Sequence, residues 1–314
     1  MFVRFFVVKS SLLVLDPFWG TTPANGSCTH QGREGFSTTC YKSNNEVNTP
    51  FHDGLPVVVL GDSYTEAIQV NDSQKYVSLA EIELRNRGYV VDLHNLGSSN
   101  RTLADFVYVA PAVNSAFDPE IVVIQTNESG LYDTLNPARL NHFEPQADGS
   151  LKLIHRDLWN EKDVAGQNLV LSSGLATYFS IRWKKIVGAY QVAGNKYVEP
   201  PRATTDQLTS EISQLAAAYP NSKIVFLIIP TIPVISDTEV EWVNPKDSSV
   251  VRLLNNIDGI TVVYPAPAFR QHYRKHMEFP RGFFNTLPNF SHLNPLGHQL
   301  VASELVKALV QVLK

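Results

Sequence analysis

Val57-Val58-Val59-Leu60 is a run of four apolar residues with no polar alternation, and it stops abruptly at Gly61-Asp62-Ser63. A strand without a polar face must be covered on both sides, the situation of a parallel sheet held between two helical layers. Further strands are read at Tyr89–Leu93, Ile121–Ile124, the fully apolar Ile224–Ile229, and Ile260–Val263. The segments between them read as helices. Val77, Ala80 and Leu84 share one face of the first, with Gly88 just past its end. A second helix starts near Leu103. Thr204-Thr205-Asp206-Gln207 has the form of a capping box and opens a helix with Leu208, Ile212 and Leu215 inward. Asn294-Pro295 opens the last helix, on which Leu296, Leu300, Leu305, Leu309 and Val312 recur at helical spacing. Strands alternating with helices imply right-handed crossovers and an α/β fold with a parallel, roughly five-stranded sheet.

Active sites of open α/β sheets lie beyond the carboxyl ends of the strands, and Ser63 stands at such an end. A serine hydroxyl needs a base to become a nucleophile, and histidine is the usual base near neutral pH. His292, in the loop Asn289-Phe290-Ser291-His292 before the last helix, is the candidate. His298 falls one turn into that helix and reads as a capping or packed residue, and Asp62 reads as a turn acceptor. His52 and His94 flank the first two strands.

Taken in order, these blocks resemble the SGNH hydrolase superfamily, the GDSL-type esterases and lipases, over about residue 55 to the C-terminus. The nucleophile block matches Gly61-Asp62-Ser63, and the longer Leu60-Gly61-Asp62-Ser63-Tyr64-Thr65-Glu66 is similar to members associated with bacterial polysaccharide modification. The resemblance implies a flavodoxin-like three-layer α/β/α sandwich. It also implies an oxyanion hole made by the amides of Ser63 and Gly97, the latter in Asn95-Leu96-Gly97, with the side chain of Asn127. The third block, Gln125-Thr126-Asn127-Glu128, keeps only its asparagine, and Ser129-Gly130 would take the slot if the loop carried two extra residues. The last block, Asp-x-x-His in the family, is Asn289-Phe290-Ser291-His292 here.

That last departure matters most, because a triad acid fixes the imidazole tautomer and stabilises the imidazolium; in serine proteases the Asp-to-Asn change costs about 10⁴ in turnover. Three outcomes stay open: a slow Ser63–His292 pair oriented by Asn289, an acid from the loop holding Asp237 or Glu239, or a degenerate protein. The resemblance implies an esterase acting on small acyl groups, acetyl above all, on a carbohydrate. A non-hydrolytic glycan-binding or assembly domain and an O-acyltransferase using the same residues are the alternatives. No cofactor is called for by this chemistry.

Composition fits one enzyme-sized globular domain: 314 residues, 44% hydrophobic, 18% charged. A net charge of −4 offers no basic footprint for nucleic acid, and the expected partner is an acylated small molecule or glycan. The sequence does not speak to oligomeric state. Residues 1–54 read as an N-terminal apolar segment followed by a loop, and 55–314 as the hydrolase-like domain. An insert or lid at about 131–202 breaks the alternation and carries Tyr132, His142, Phe143, Trp159, Tyr178, Phe179, Arg182, Trp183 and Tyr190. These aromatics suit either a sugar-binding cover or the insert's own core. Phe269–His276 reads as a charged, solvated face. The first fifteen residues, broken by Lys9 and two serines, are too short to span a membrane. They leave open a degraded signal, an anchor fragment or an added strand. Cys28 and Cys40, the only two cysteines, sit in the polar stretch from Thr21 to Asn48 and favour an exported, periplasmic or extracellular, chain with one disulfide, while a cytoplasmic chain with two free thiols stays open.

Overall fold

In the computed structural model, residues 13–16, 18–32, 34–156, 161–171, 201–231, 234–235, 240–241 and 248–314 are described. Two short hairpins come first: β1 (Leu13–Asp16) with β2 (Gly20–Pro23), then β3 (Cys28–Gln31) with β4 (Ser37–Cys40). The main unit begins with β5 (Leu55–Gly61), α1 (Ser63–Glu66), α2 (Tyr76–Asn86), β6 (Val91–Gly97), α3 (Leu103–Tyr108), α4 (Ala110–Phe117) and β7 (Ile121–Asn127). A hairpin of β8 (Asn141–Pro145) and β9 (Leu151–His155), then α5 (Glu161–Leu171), interrupt the alternation. It resumes with α6 (Thr205–Ala218), β10 (Lys223–Ile229), the small pair β11 (Val234–Ile235) and β12 (Val240–Glu241), α7 (Ser249–Asn255), β13 (Ile260–Val263), α8 (Ala266–His276) and α9 (Pro295–Val312).

Five strands pair in the order β13-β10-β7-β5-β6, all parallel. In order of appearance along the main unit this is 5-4-3-1-2, the flavodoxin-like winding. The period of two along each strand divides the apolar runs between two cores. Val58, Leu60, Val122, Ile124, Phe226 and Ile228 face α3, α4, α6 and α7. Val57, Val59, Val123, Val225, Leu227 and Ile229 face α2, α8 and α9. Both sides are therefore dry, which is why the strands read as continuous apolar runs. The capping box at Thr204 and Gln207 forms, and Leu208, Ile212 and Leu215 are fully buried. On α9 the buried stripe is Val301, Ala302, Leu305, Val306 and Leu309, whereas Leu296, Leu300 and Val312 are only half-buried at its flank.

The polar stretch Thr21–Asn48, expected as a loop, instead contains β3, β4 and most of β2, and Cys28 and Cys40 are joined by a disulfide. Four-residue strands rich in Ser, Thr, Cys and Gly lack the apolar alternation that signals a strand. Within the expected insert, Phe143 is completely buried in a third core with Ala104, Leu135, Leu151 and Ala203. Trp159, Tyr178, Phe179, Arg182, Trp183 and Tyr190 lie outside the described residues. Among the described residues no helix is long and apolar enough to cross a membrane.

One contact sets the height of α1 above the sheet. Gly61 and Gly97 pair across β5 and β6. A Cβ added to Gly97 would lie 2.1 Å from the Glu66 nitrogen and 2.4 Å from the Thr65 carbonyl carbon. Gly97→Ala is expected to destabilise the protein by about 1–3 kcal/mol through overpacking, since backbone cannot yield as a side chain does. Denaturant unfolding of the variant against the parent measures it.

Candidate active site

The carboxyl ends of β5 and β7 place Ser63 and Asn127 on one rim, at the point where the winding reverses direction. Asp62 caps α1: its backbone is extended and its carboxylate accepts the Tyr64 N–H at 2.9 Å. Burial pushes the Asp62 carboxyl up, while its hydrogen bonds to the Tyr64 amide and neighbouring amide side chains act against that rise. Beneath the turn, Gln125 is completely buried, and its Oε1 accepts the Asp62 N–H at 3.0 Å and the Thr65 hydroxyl at 2.6 Å. Gln125 thus fastens the serine-bearing turn from below. Gly61 is required there, because a Cβ would sit 2.0 Å from Thr65 Oγ1 and 2.5 Å from Gln125 Oε1.

His292 is brought to Ser63, with Nε2 3.1 Å from Oγ. Its loop is shaped by Arg281, a 3% exposed guanidinium that donates to the Ser291 carbonyl, the Pro230 carbonyl and the Tyr64 hydroxyl at 2.6–2.7 Å. The Tyr64 ring lies 5.4 Å from the imidazole. On the far side, His292 Nδ1 is 2.8 Å from Glu34 Oε2 and 2.9 Å from Ser291 Oγ. Burial raises the Glu34 carboxyl, but its hydrogen bond and charge interaction with His292 and its bond to Ser291 outweigh this and hold it below the usual carboxylate range. An ionised Glu34 accepts from Nδ1–H, which leaves Nε2 as the acceptor for the serine proton.

Here the expectation for Asn289 needs correction. Asn289 is 3% exposed, its backbone is left-handed at φ 56°, and neither atom of its side-chain amide has a hydrogen-bond partner. Its side chain makes no hydrogen bond to His292; Glu34, from the β3–β4 hairpin, is the carboxylate bonded to Nδ1. Asp237 and Glu239 lie outside the described residues.

Gly97 also differs from expectation. Its N–H donates to Asn95 Oδ1 at 3.0 Å, and the residue is packed behind α1 instead of lining the cleft. Asn100, three residues on, does line the cleft, in a left-handed conformation with φ 68°. Asn127 faces the cleft too. Its Oδ1 is engaged by Ser129 Oγ at 2.7 Å and Gly130 N at 2.8 Å, which orients Nδ2 toward Asp62 at 3.2 Å and leaves its second proton over. Ser129 and Gly130 therefore hold Asn127 and do not replace it. His298 is buried, accepts the Tyr76 N–H and is depressed to about 3 by burial and by the nearby Lys75 and His292. The cleft has a volume of about 790 Å³, and its wall beyond Ser63 carries the polar side chains of Ser99, Asn100, Thr102, Asp133, Arg139 and Arg202. Among the described residues no group of three His, Cys, Asp or Glu side chains is placed to hold a metal.

Sequence reasoning missed Glu34, Asn100, Gln125 as a support, and Arg281. The one signal for Glu34 was its place between two cysteines that close a short loop. For Asn100 it was the tolerance of asparagine for positive φ.

No protein-family model and no curated protein sequence matches the chain. Solved structures do. TesA matches at 12% identity and a TM-score of 0.44, over 82% of this chain and 99% of that one. A family 3 carbohydrate esterase of Clostridium thermocellum matches at 11% and 0.40, over 83% and 98%. The acetyl xylan esterase AlAXEase matches at 16% and 0.43, over 81% and 99%.

Gln125→Leu removes the acceptor for the buried Asp62 N–H. The expected loss is about 1–3 kcal/mol of stability, the cost of an orphaned buried donor. Denaturant titration of parent and variant reads it directly.

Proposed function

We propose that this protein is a serine esterase that removes a small acyl group, acetyl above all, from a carbohydrate. The observation that carries the reading is the 3.1 Å approach of His292 Nε2 to Ser63 Oγ at the floor of an open cleft. His292 takes the hydroxyl proton as Ser63 Oγ attacks the ester carbonyl. The oxyanion that forms is received by the N–H of Ser63 and the free Nδ2 proton of Asn127, both of which line the cleft. Donors fixed before the reaction stabilise this charge by roughly 3–4 kcal/mol each. Collapse breaks the bond to the sugar oxygen, which takes the proton from His292 and leaves as the hydroxyl. A water, deprotonated by His292, then releases the acyl group as a carboxylic acid and restores Ser63.

The hydroxyl, amide and charged side chains on the cleft wall support a hydroxyl-rich leaving group, and the acetyl and sugar assignments follow the resemblance of the Leu60–Glu66 block. The Cys28–Cys40 disulfide supports placement in an oxidising compartment outside the cytosol.

Hydrolysis of p-nitrophenyl acetate tests the reading. Ser63→Ala is expected to lose about 10³-fold or more of kcat/KM and to lose labelling by a fluorophosphonate. Equal rates for parent and variant would sink the esterase assignment. Asn127→Ala is expected to lower kcat by about 10²–10³ with KM little changed, as a donor acting in the transition state should.

A further inference from the structure

The imidazole of His292 is touched on Nδ1 by a residue 258 positions away, and that residue arrives on a hairpin built for the purpose. We propose that Glu34 is the charge partner of His292, completing a Ser63–His292–Glu34 triad, and that the disulfide-closed β3–β4 hairpin is the device that delivers it. The proposal rests on the esterase reading and adds to it a positioning residue outside the nucleophile, oxyanion and histidine blocks.

Three sets of contacts carry it. First, the residue in the expected acid position, Asn289, has a side-chain amide without partners, so nothing else on the His292 loop supplies a carboxylate to Nδ1. Second, the hairpin tip is tied to that same loop on both sides of Glu34: the Gly35 N–H donates to Asn285 Oδ1 at 2.8 Å, and Asn285 Nδ2 donates to the Gly32 carbonyl at 3.1 Å. Gly35 has φ 68°, and a Cβ there would strike the Phe283 ring at 2.8 Å, so tip and loop pack without slack. Third, the hairpin base is anchored to the elements around the nucleophile. Ser37 Oγ donates to the Ile68 carbonyl, Lys75 Nζ reaches Thr39 Oγ1 at 3.1 Å, and the Tyr41 hydroxyl donates to Glu66 Oε1 at 2.5 Å. A lone two-stranded hairpin is marginal in water. Joining Cys28 to Cys40, which face each other in its register, restricts the positions Glu34 can visit.

Other groups face His292 as well. Asp62 and Tyr64 approach from the β5–α1 turn, Arg281 from its own loop, and His298 from α9. Of the carboxylates among them, Glu34 alone is hydrogen-bonded to the ring.

The test compares Glu34→Gln, Glu34→Asp and Ser63→Ala on p-nitrophenyl acetate across pH. Glu34→Gln is expected to lose about 10²–10⁴-fold in kcat with KM little changed, and Glu34→Asp to retain more activity than Glu34→Gln. An anion beside the ring favours the imidazolium, the form that cannot act as base. Removing it therefore moves the acidic limb of kcat/KM to lower pH. A merely structural role would lower activity without moving that limb. The double substitution Cys28→Ser/Cys40→Ser is expected to lower kcat in the parent and to add nothing to Glu34→Gln, because both act through one contact. If Ser63→Ala is inactive while Glu34→Gln stays within threefold of the parent, or if the acidic limb does not move, the proposal is overturned and the esterase reading stands. If Ser63→Ala is as active as the parent, the esterase reading itself has failed. Fully additive losses overturn the role of the disulfide.

Discussion

The close approach of α1 to the ends of β5 and β6 is the constraint on which the site depends. Gly61 and Gly97 stand side by side in register, and the space their missing side chains leave is filled by Thr65 and the Thr65–Glu66 peptide. Only this depression lets a one-turn helix sit directly on the strand ends and present Ser63 upward. Gln125 closes the arrangement from the next strand by taking the Asp62 N–H and the Thr65 hydroxyl together. The same packing explains why Gly97 does not serve the cleft: a residue pressed under α1, with its N–H turned to Asn95, supports the floor instead of facing the substrate.

Much of the fold was legible because burial on both faces leaves an unambiguous trace. The runs at 57–60, 121–124, 224–229 and 260–263 all became strands of the sheet, and the helix stripes on α2 and α6 were found residue for residue. The N-terminal hairpins were not legible. Their strands are four residues long, mostly polar, and stabilised by a disulfide and by side-chain bonds to distant elements, none of which leaves a local periodicity. The site divides in the same way. That Ser63, Asn127 and His292 meet at one cleft was readable because each follows or precedes a regular element at a fixed offset. Glu34 was not, since its partner is set by tertiary contact alone.

Two residues that depart from the pattern the sequence resembles have different standing in the structure. Gln125 has work, since its side chain holds the turn that carries Ser63. Asn289 has none: it is buried, left-handed and without side-chain hydrogen bonds, while the place beside the imidazole has gone to a carboxylate from elsewhere. Reading the two as equal signs of decay would misjudge both.

The route of the chain from Cys28 to Cys40 has a consequence for where this molecule begins. Measured by strand pairing, the central sheet starts at Leu55, and the two hairpins described before it pair only within themselves. Measured by the groups that touch the His292 ring, the site starts some twenty residues earlier, at the tip of a loop that shares no strand with that sheet. The boundary of the part that folds and the boundary of the part that works are different places in this sequence, and a cut drawn at the first would pass through the middle of the second.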